Sequence, residues 1–557
     1  AASLYRRTAG NPLHLRLLMS TGGSEETLAG AVDGYLAALH SRVRDALAYL
    51  CVFEPLSRDD LTALTDETAV AAAVEAGAVQ PSDSGLYAGH PLFLERLALS
   101  LDKADVARRR AAIAARLSTR PSHSPADRLG RTLLTLQGDG PVDGDAVVAA
   151  ANESLRLGDL GLAERLASGV LERADRFDAR LALSYALAWQ GRGRESDTVL
   201  GAVDVGDLSE EQLMAWALPR AANQFWMLSE PERATTFLQN VRARVGEAAS
   251  HLTLDALSAT FAMNAGNVRR AVQVAEEVLA HADAPDMAVA WAGSAASLSF
   301  ARMGRFDAVG PTVVRALGSE YPGLLRFTIG MAETTTLLME ARTQDAYDTA
   351  RRFTDFAELA QPGRAIGDVL LSQVLLVHGD YAGAAELLEP AAAALERTGY
   401  SWGPLALMYL TTALAHLGEI PDSAKALARA QSRHGTKSAL FAPELGIARA
   451  WRLTTIGEHP AAVTAARDAA RMAERGGQFA VAVLCWHEAT RLGDRRAASC
   501  LARIAELVPC AFTRLALAHA QALTAGDAAA LAAAAGELAA AGLHGAAADA
   551  ARQAGEV

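Results

Sequence analysis

The feature that most constrains this chain is a short turn, Gly-x-x-x-x-small, that returns at a nearly constant interval. It occurs at Gly158, Gly191, Ser229, Gly266, Gly304, Gly379, Gly418, Gly457, Gly493 and Gly526, with Ser229 standing in for glycine. Neighbouring turns lie 33 to 39 residues apart, except for a step of 75 from Gly304 to Gly379. That step is two periods, and a degenerate turn near Thr343–Tyr347 is expected to fill it. A repeat of this length holds one pair of helices, which cannot bury its apolar face alone. Eleven units therefore imply a stack of helical hairpins.

Two further columns sharpen the reading. Where the two helices of a hairpin touch, their backbones approach closely and only small side chains fit. Seven positions before the turn stand Ala151, Ser184, Ala222, Ala259, Ser297, Ser372, Thr411, Ala450, Trp486 and His519. Five after it stand Ala163, Ser196, Ala234, Ala271, Val309, Ala384, Ser423, Ala462, Ala498 and Leu531. Eight of the ten are small in each column. The pattern resembles the tetratricopeptide (TPR) superfamily over roughly residues 126–557. The resemblance implies an all-α fold, a TPR-like right-handed α-solenoid of about eleven helical hairpins. The Ala-rich last 47 residues lose the pattern and read as a capping hairpin, or as helices leading towards a further segment.

Composition agrees. Of 557 residues 51% are hydrophobic but only 6% aromatic, so there is apolar surface for a core and the side chains filling it are small. The net charge of −12 argues against direct nucleic-acid binding, which draws its affinity from excess Lys and Arg. Of 52 basic residues only Lys103, Lys425 and Lys437 are lysines. The four cysteines, Cys51, Cys485, Cys500 and Cys510, have neither metal-site nor disulfide spacing and fit a reducing cytoplasm. The longest uncharged run, between Arg397 and Glu419, carries the repeat turn and reads as a buried hairpin rather than a membrane span. No signal peptide opens the chain. The start, without Met and inside an apolar helical pattern, reads as that of an excised piece.

Residues 1–117 follow other rules. Gly10-Asn11-Pro12 reads as a helix start. Thr27–Phe53 is apolar at steps of three and four, and Ser57 caps a short helix, followed by another at Glu67–Ala76. Ala78–Gln80 and Leu86–Ala88, around a Pro-Ser-Asp-Ser-Gly turn, read as a two-stranded wing. Gly89-His90-Pro91 then leads into one helix ending near Leu117. Three helices and a hairpin make a small winged-helix domain, and Arg120–Pro125 make a linker.

The order AGNPLHLRLL, winged helix ending in HPLF, then a long TPR array resembles the large ATP-binding LuxR-type (LAL, MalT-like) transcription regulators of the STAND NTPase class. The resemblance implies that 1–25 end an NTPase domain, 26–117 form the winged helix, 118–130 link, and 131–557 form the sensor. It places Gly10, Asn11, Pro12 and His90 near a nucleotide; an ordinary helix start and a histidine helix cap are the alternatives. No G-x-x-x-x-G-K-[ST] occurs, so no nucleotide cofactor is expected on this chain. ATP or ADP would belong to a longer protein.

Counting back 13, 10, 6, 3 and 2 residues from each turn marks the side chains facing the concave side. They include Tyr185, Trp189, Trp216, Asn223, Trp226, Asn264, Trp291, Arg302, Gln373, His416, Trp451, His487 and Arg491. Aromatic faces beside amide, imidazole and guanidinium groups suit a polar organic ligand or a peptide; packing between repeats is the other reading. No catalytic or metal motif is present. The expectation is therefore a cytoplasmic sensing module of a LAL-type regulator. It would bind a small-molecule inducer or a regulatory protein or peptide, and relay occupancy through the winged helix to its own NTPase domain. Self-association is allowed and membrane contact is not expected. The alternatives are a stand-alone TPR interaction scaffold and, less favoured, an enzyme.

Overall fold

In the computed structural model every one of the ten turns adopts the left-handed backbone that glycine tolerates. Their φ values run from 59° at Ser229 to 96° at Gly379. The eleventh turn is at Ala341, φ 58°, just ahead of the Thr343–Tyr347 stretch where it was expected. Its helix begins at Thr343. It lies 37 residues after Gly304 and 38 before Gly379, so the period is unbroken. Seven before Ala341 stands Thr334 and five after it Ala346, both fully buried.

The structure describes residues 28–82, 85–119, 125–137, 142–320, 323–355, 362–396 and 398–557. The chain divides into two compact units, one up to Ala182 and one from Leu183 to Val557. Each is described by itself.

In the first unit, the expected helix over Thr27–Phe53 is two helices, Leu28–Ala38 and Ser41–Val52. They part at His40, whose Nδ1 accepts from the Arg42 amide and starts the second. Ser57 caps Arg58–Leu64 as expected, and Glu67–Glu75 follows with Asp66 as its cap. Strand β1, Val79–Ser82, pairs antiparallel with β2, Gly85–Ala88, in the register Val79↔Ala88. Leu56 bridges Leu86 and adds a short third edge. The single helix expected up to Leu117 is again two, Pro91–Ala98 and Lys103–Ser118, because Asp102 caps the second. Leu47, Leu50, Leu56, Leu61, Val70, Phe93 and Ile113 form the core. The fully buried Asp60 carboxylate is met by Arg116 Nε at 3.0 Å.

The second unit is built of antiparallel helix pairs, such as Ala248–Asn264 with Val268–Leu279 and Asp286–Met303 with Phe306–Leu317. This is the TPR-like α-solenoid arrangement. The small columns are its seam: Ala259, Ala271, Ser297, Ser372, Ala384, Thr411, Ser423, Ala450 and Ala462 are all fully buried. The uncharged run holds the helix Trp402–His416 and ends in the Gly418 turn. Among the described residues no helix is long and apolar enough to cross a membrane.

Residues far apart in sequence also meet inside this unit. The Gly266 turn touches Ala439, the Gly304 turn touches Val508, and the Gly379 turn touches Gly545. Hairpins thus pack on others well over a hundred residues along, and part of the inward face is consumed by this contact.

Candidate functional site

The thirteen inward side chains do not form one surface. Six of them, Tyr185, Trp189, Asn223, Trp226, Asn264 and Trp291, line one cavity of about 520 Å³. Trp226 is its centre. Its ring lies 6.1 Å from Trp291 and 6.1 Å from Tyr400, and Trp189 lies 5.4 Å from Tyr400. Behind Trp226, Phe225 stacks on Phe261 at 4.2 Å and fixes the ring edge-on.

The backbone at this centre is irregular. The helix Glu210–Ala222 contains Pro219 and continues as a π-helical turn, Asn223–Met227. One extra residue in the turn leaves carbonyls without their usual helical donors. Lys437 answers one of them: its Nζ donates to Trp226 O at 2.9 Å. Burial, reinforced by Arg433, lowers the Lys437 ammonium to about 8. Next to it, Ser401 Oγ sits 2.6 Å from Asn264 Oδ1 and 2.7 Å from Lys437 O. One hydroxyl proton can serve only one of these at a time. Asn264 Nδ2 donates to Thr260 O, and Asn223 Nδ2 to Gly193 O, leaving Asn223 Oδ1 buried without a partner.

Local sequence missed much of the wall, including Tyr400, Ser401, Trp402, Leu440 and Phe441. They lie at or near the joints between hairpins, where counting from a turn does not reach. Gly399 makes one such approach possible. Its φ is +69°, and a Cβ there would fall 2.8 Å from Met227 Sδ. The segment Thr436–Phe441 is held from behind by Arg302, which donates to Leu440 O at 2.8 Å and Gln478 Oε1 at 2.6 Å. Arg302 also pairs with Glu444 at 2.7 Å. It is therefore a support of the wall and not a lining residue.

The other predicted residues lie elsewhere. Trp216 donates Nε1–H to Leu200 O at 2.8 Å and packs on Phe237. Gln373 donates to Thr335 Oγ1 at 3.1 Å, and its Oε1 is buried unpartnered. His416, Trp451, His487 and Arg491 belong to a second, solid cluster. There His416 is stacked between Tyr381 at 3.8 Å and Trp451 at 3.9 Å. Arg491 binds Glu488, Asp549 and the Tyr381 hydroxyl, each at 2.8 Å. His487 meets His519 at 3.1 Å, and His519 meets Gln553 at 2.8 Å. Burial holds His416 and His487 well below the usual imidazole range.

In the first unit His90 caps the helix Pro91–Ala98, its Nδ1 accepting from the Leu92 amide at 3.2 Å. In the neutral ring this leaves the proton on Nε2, a donor of the kind a phosphate takes. Gly10, Asn11 and Pro12 lie outside the described residues. One imidazole by itself does not hold a nucleotide.

No protein-family model matches the chain, and no curated protein does. Solved structures similar to it include a Rap protein complexed with the competence and sporulation factor, 13% identical, TM-score 0.43, covering 63% of this chain and 98% of that one. The Cut9–Hcn1 hetero-tetramer of the APC/C is 12% identical with TM-score 0.35, covering 82% and 94%. The P58(IPK) TPR domain is 15% identical with TM-score 0.19, covering 63% and 99%. At these TM-scores the likeness carries no argument, and the assignment of a helical-repeat fold rests on the chain's own eleven turns.

Proposed function

We propose that the chain is a recognition module whose second unit takes a small organic group, or a side chain of a partner protein or peptide, into the aromatic cavity. The observation that carries this is the cavity itself. About 520 Å³ of space is walled by Tyr185, Trp189, Trp226, Trp291, Tyr400, Trp402 and Phe441, with amides and hydroxyls between the rings. That combination of volume, apolar rings and few fixed polar groups is how ligand pockets are built. The reading is one of binding rather than turnover. It favours an interaction scaffold over a regulator of any particular class.

The test uses Ala188, which lines the cavity and is only half-buried. Fragments that raise the melting temperature of the wild type should leave Ala188→Trp unmoved, because the new indole occupies their space. Equal shifts in both proteins would remove the proposal.

A second reading, the sensor arm of a LAL-type regulator, is favoured by one observation. In the first unit the hairpin of β1 and β2, joined by Leu56, follows short capped helices and leads into the His90 cap, a layout that fits a winged helix. Its test is whether a cavity ligand alters nucleotide turnover by a longer form of the protein carrying a Walker A lysine. Unaltered turnover removes it.

A further inference from the structure

The charge around the cavity is one-sided. Among the described lining residues Glu320 is the one carboxylic acid, and no Lys, Arg or His is present. This holds in a chain with 52 basic residues. Three cations just outside the wall are engaged: Arg302 is paired with Glu444, Lys437 donates to Trp226 O, and Arg326 Nε donates to the carbonyl of the lining Gly323 at 3.0 Å. The inner surface thus offers aromatic rings, Trp226, Trp291 and Tyr400 among them, with a carboxylate at Glu320, which is itself exposed. An aromatic ring attracts a cation through its quadrupole, most strongly where water is excluded. An anion would meet aromatic rings and the Glu320 carboxylate, and among the described lining residues no cation repays its desolvation.

We infer that the cavity selects a primary ammonium group carried on an apolar or aromatic stem, with the stem among the tryptophans and the charge towards Glu320. This rests on the reading of the cavity as a binding site and names its ligand chemistry. The same group occurs on a free amine and on a lysine side chain.

Isothermal titration with phenethylamine, 2-phenylethanol and 3-phenylpropionate tests the inference, since the three share a stem and differ in charge. Phenethylamine is expected to bind at least about tenfold more tightly than the alcohol, and the acid weakest. Glu320→Gln, at an exposed position, should cut the amine's affinity about fivefold or more and leave the alcohol's unchanged. A lysine-centred peptide and its acetyl-lysine counterpart separate the sources. Lysine-dependent peptide binding tighter than the amine assigns a peptide ligand, and the reverse order assigns a free amine. Alcohol or acid binding as tightly as the amine, with Ala188→Trp still blocking, would overturn the ammonium preference and leave the cavity as a binding site. Failure of all three would overturn the inference; if a wider fragment set also failed, the binding proposal would fall with it.

Discussion

Lys437 donates its ammonium to the backbone carbonyl of Trp226, 2.9 Å away across 211 residues of sequence. The contact fastens the joint after one hairpin to the π-helical turn of another, and Trp226 is the ring around which the cavity is arranged. The charge is held in a poorly solvated place. The depressed titration of Lys437, to about 8, means that between pH 8 and the ordinary lysine value the unfolded chain binds a proton the folded chain has released. Stability should therefore rise with pH across that window. Denaturant unfolding at pH 7.5 and pH 10 should move in favour of the wild type relative to Lys437→Met; equal movement in both would contradict it.

The buried histidines give the opposite end of the pH range. His416 and His487 are held neutral by burial, with Arg491 adding to the effect at both and His519 at His487. Their folded values lie below the unfolded value, so stability is complete above about pH 6.5 and falls as pH drops below it. The His416 Nε2 has no partner, so His416→Phe keeps the stack on Tyr381 and Trp451 without burying a polar nitrogen. It should stay within about 1.5 kcal/mol of wild type at pH 7 and lose less stability at pH 5, measured by urea unfolding.

Ala341 is a non-glycine residue at φ 58° in a position where nine other turns use glycine. Ala341→Gly should raise stability by roughly 0.5–1 kcal/mol, because the left-handed cost to a Cβ exceeds the entropy cost of glycine. The reverse change at Gly304 should destabilise. Its φ is +87°, and the added Cβ would sit 2.7 Å from Val508 Cγ2. Thermal melts of the two variants should shift in opposite directions.

Arg302 meets Glu444, Gln478 and the Leu440 carbonyl, all by charged hydrogen bonds in a buried place. Arg302→Met leaves Glu444 without its cation and should cost about 3–5 kcal/mol. Arg302→Met with Glu444→Gln should recover part of that loss. Chemical denaturation of the two proteins measures the recovery, and identical losses would show that the pair is not coupled.

The hairpins were legible because the turn residue and the two small columns are local, at fixed offsets along one chain segment. Ala341 escaped only because alanine replaced the expected glycine, while Thr334 and Ala346 kept the columns. Part of the site was legible for the same reason: Tyr185, Trp189, Trp226 and Trp291 follow the offset rule and line the cavity. Trp216 broke it for a physical cause. The π-helical turn Asn223–Met227 inserts a residue between Trp216 and Ser229, which rotates Trp216 away from the cavity and onto Leu200 and Phe237. Trp451, His416 and Arg491 obey the rule but meet Tyr381 and Asp549, brought in from other hairpins. Tyr400 and Phe441 stand outside the helices of the hairpins, so no periodic signal marks them. Contacts over a hundred residues apart decide which inward side chains line open space, and no local pattern encodes them.

The most direct measurement is a crystal structure of the protein soaked with 4-bromophenethylamine. Anomalous bromine density is expected among Trp226, Trp291 and Tyr400, with the ammonium nitrogen on the Glu320 side. Bromine found only on the outer surface, or side chains filling the space among those rings, would contradict it.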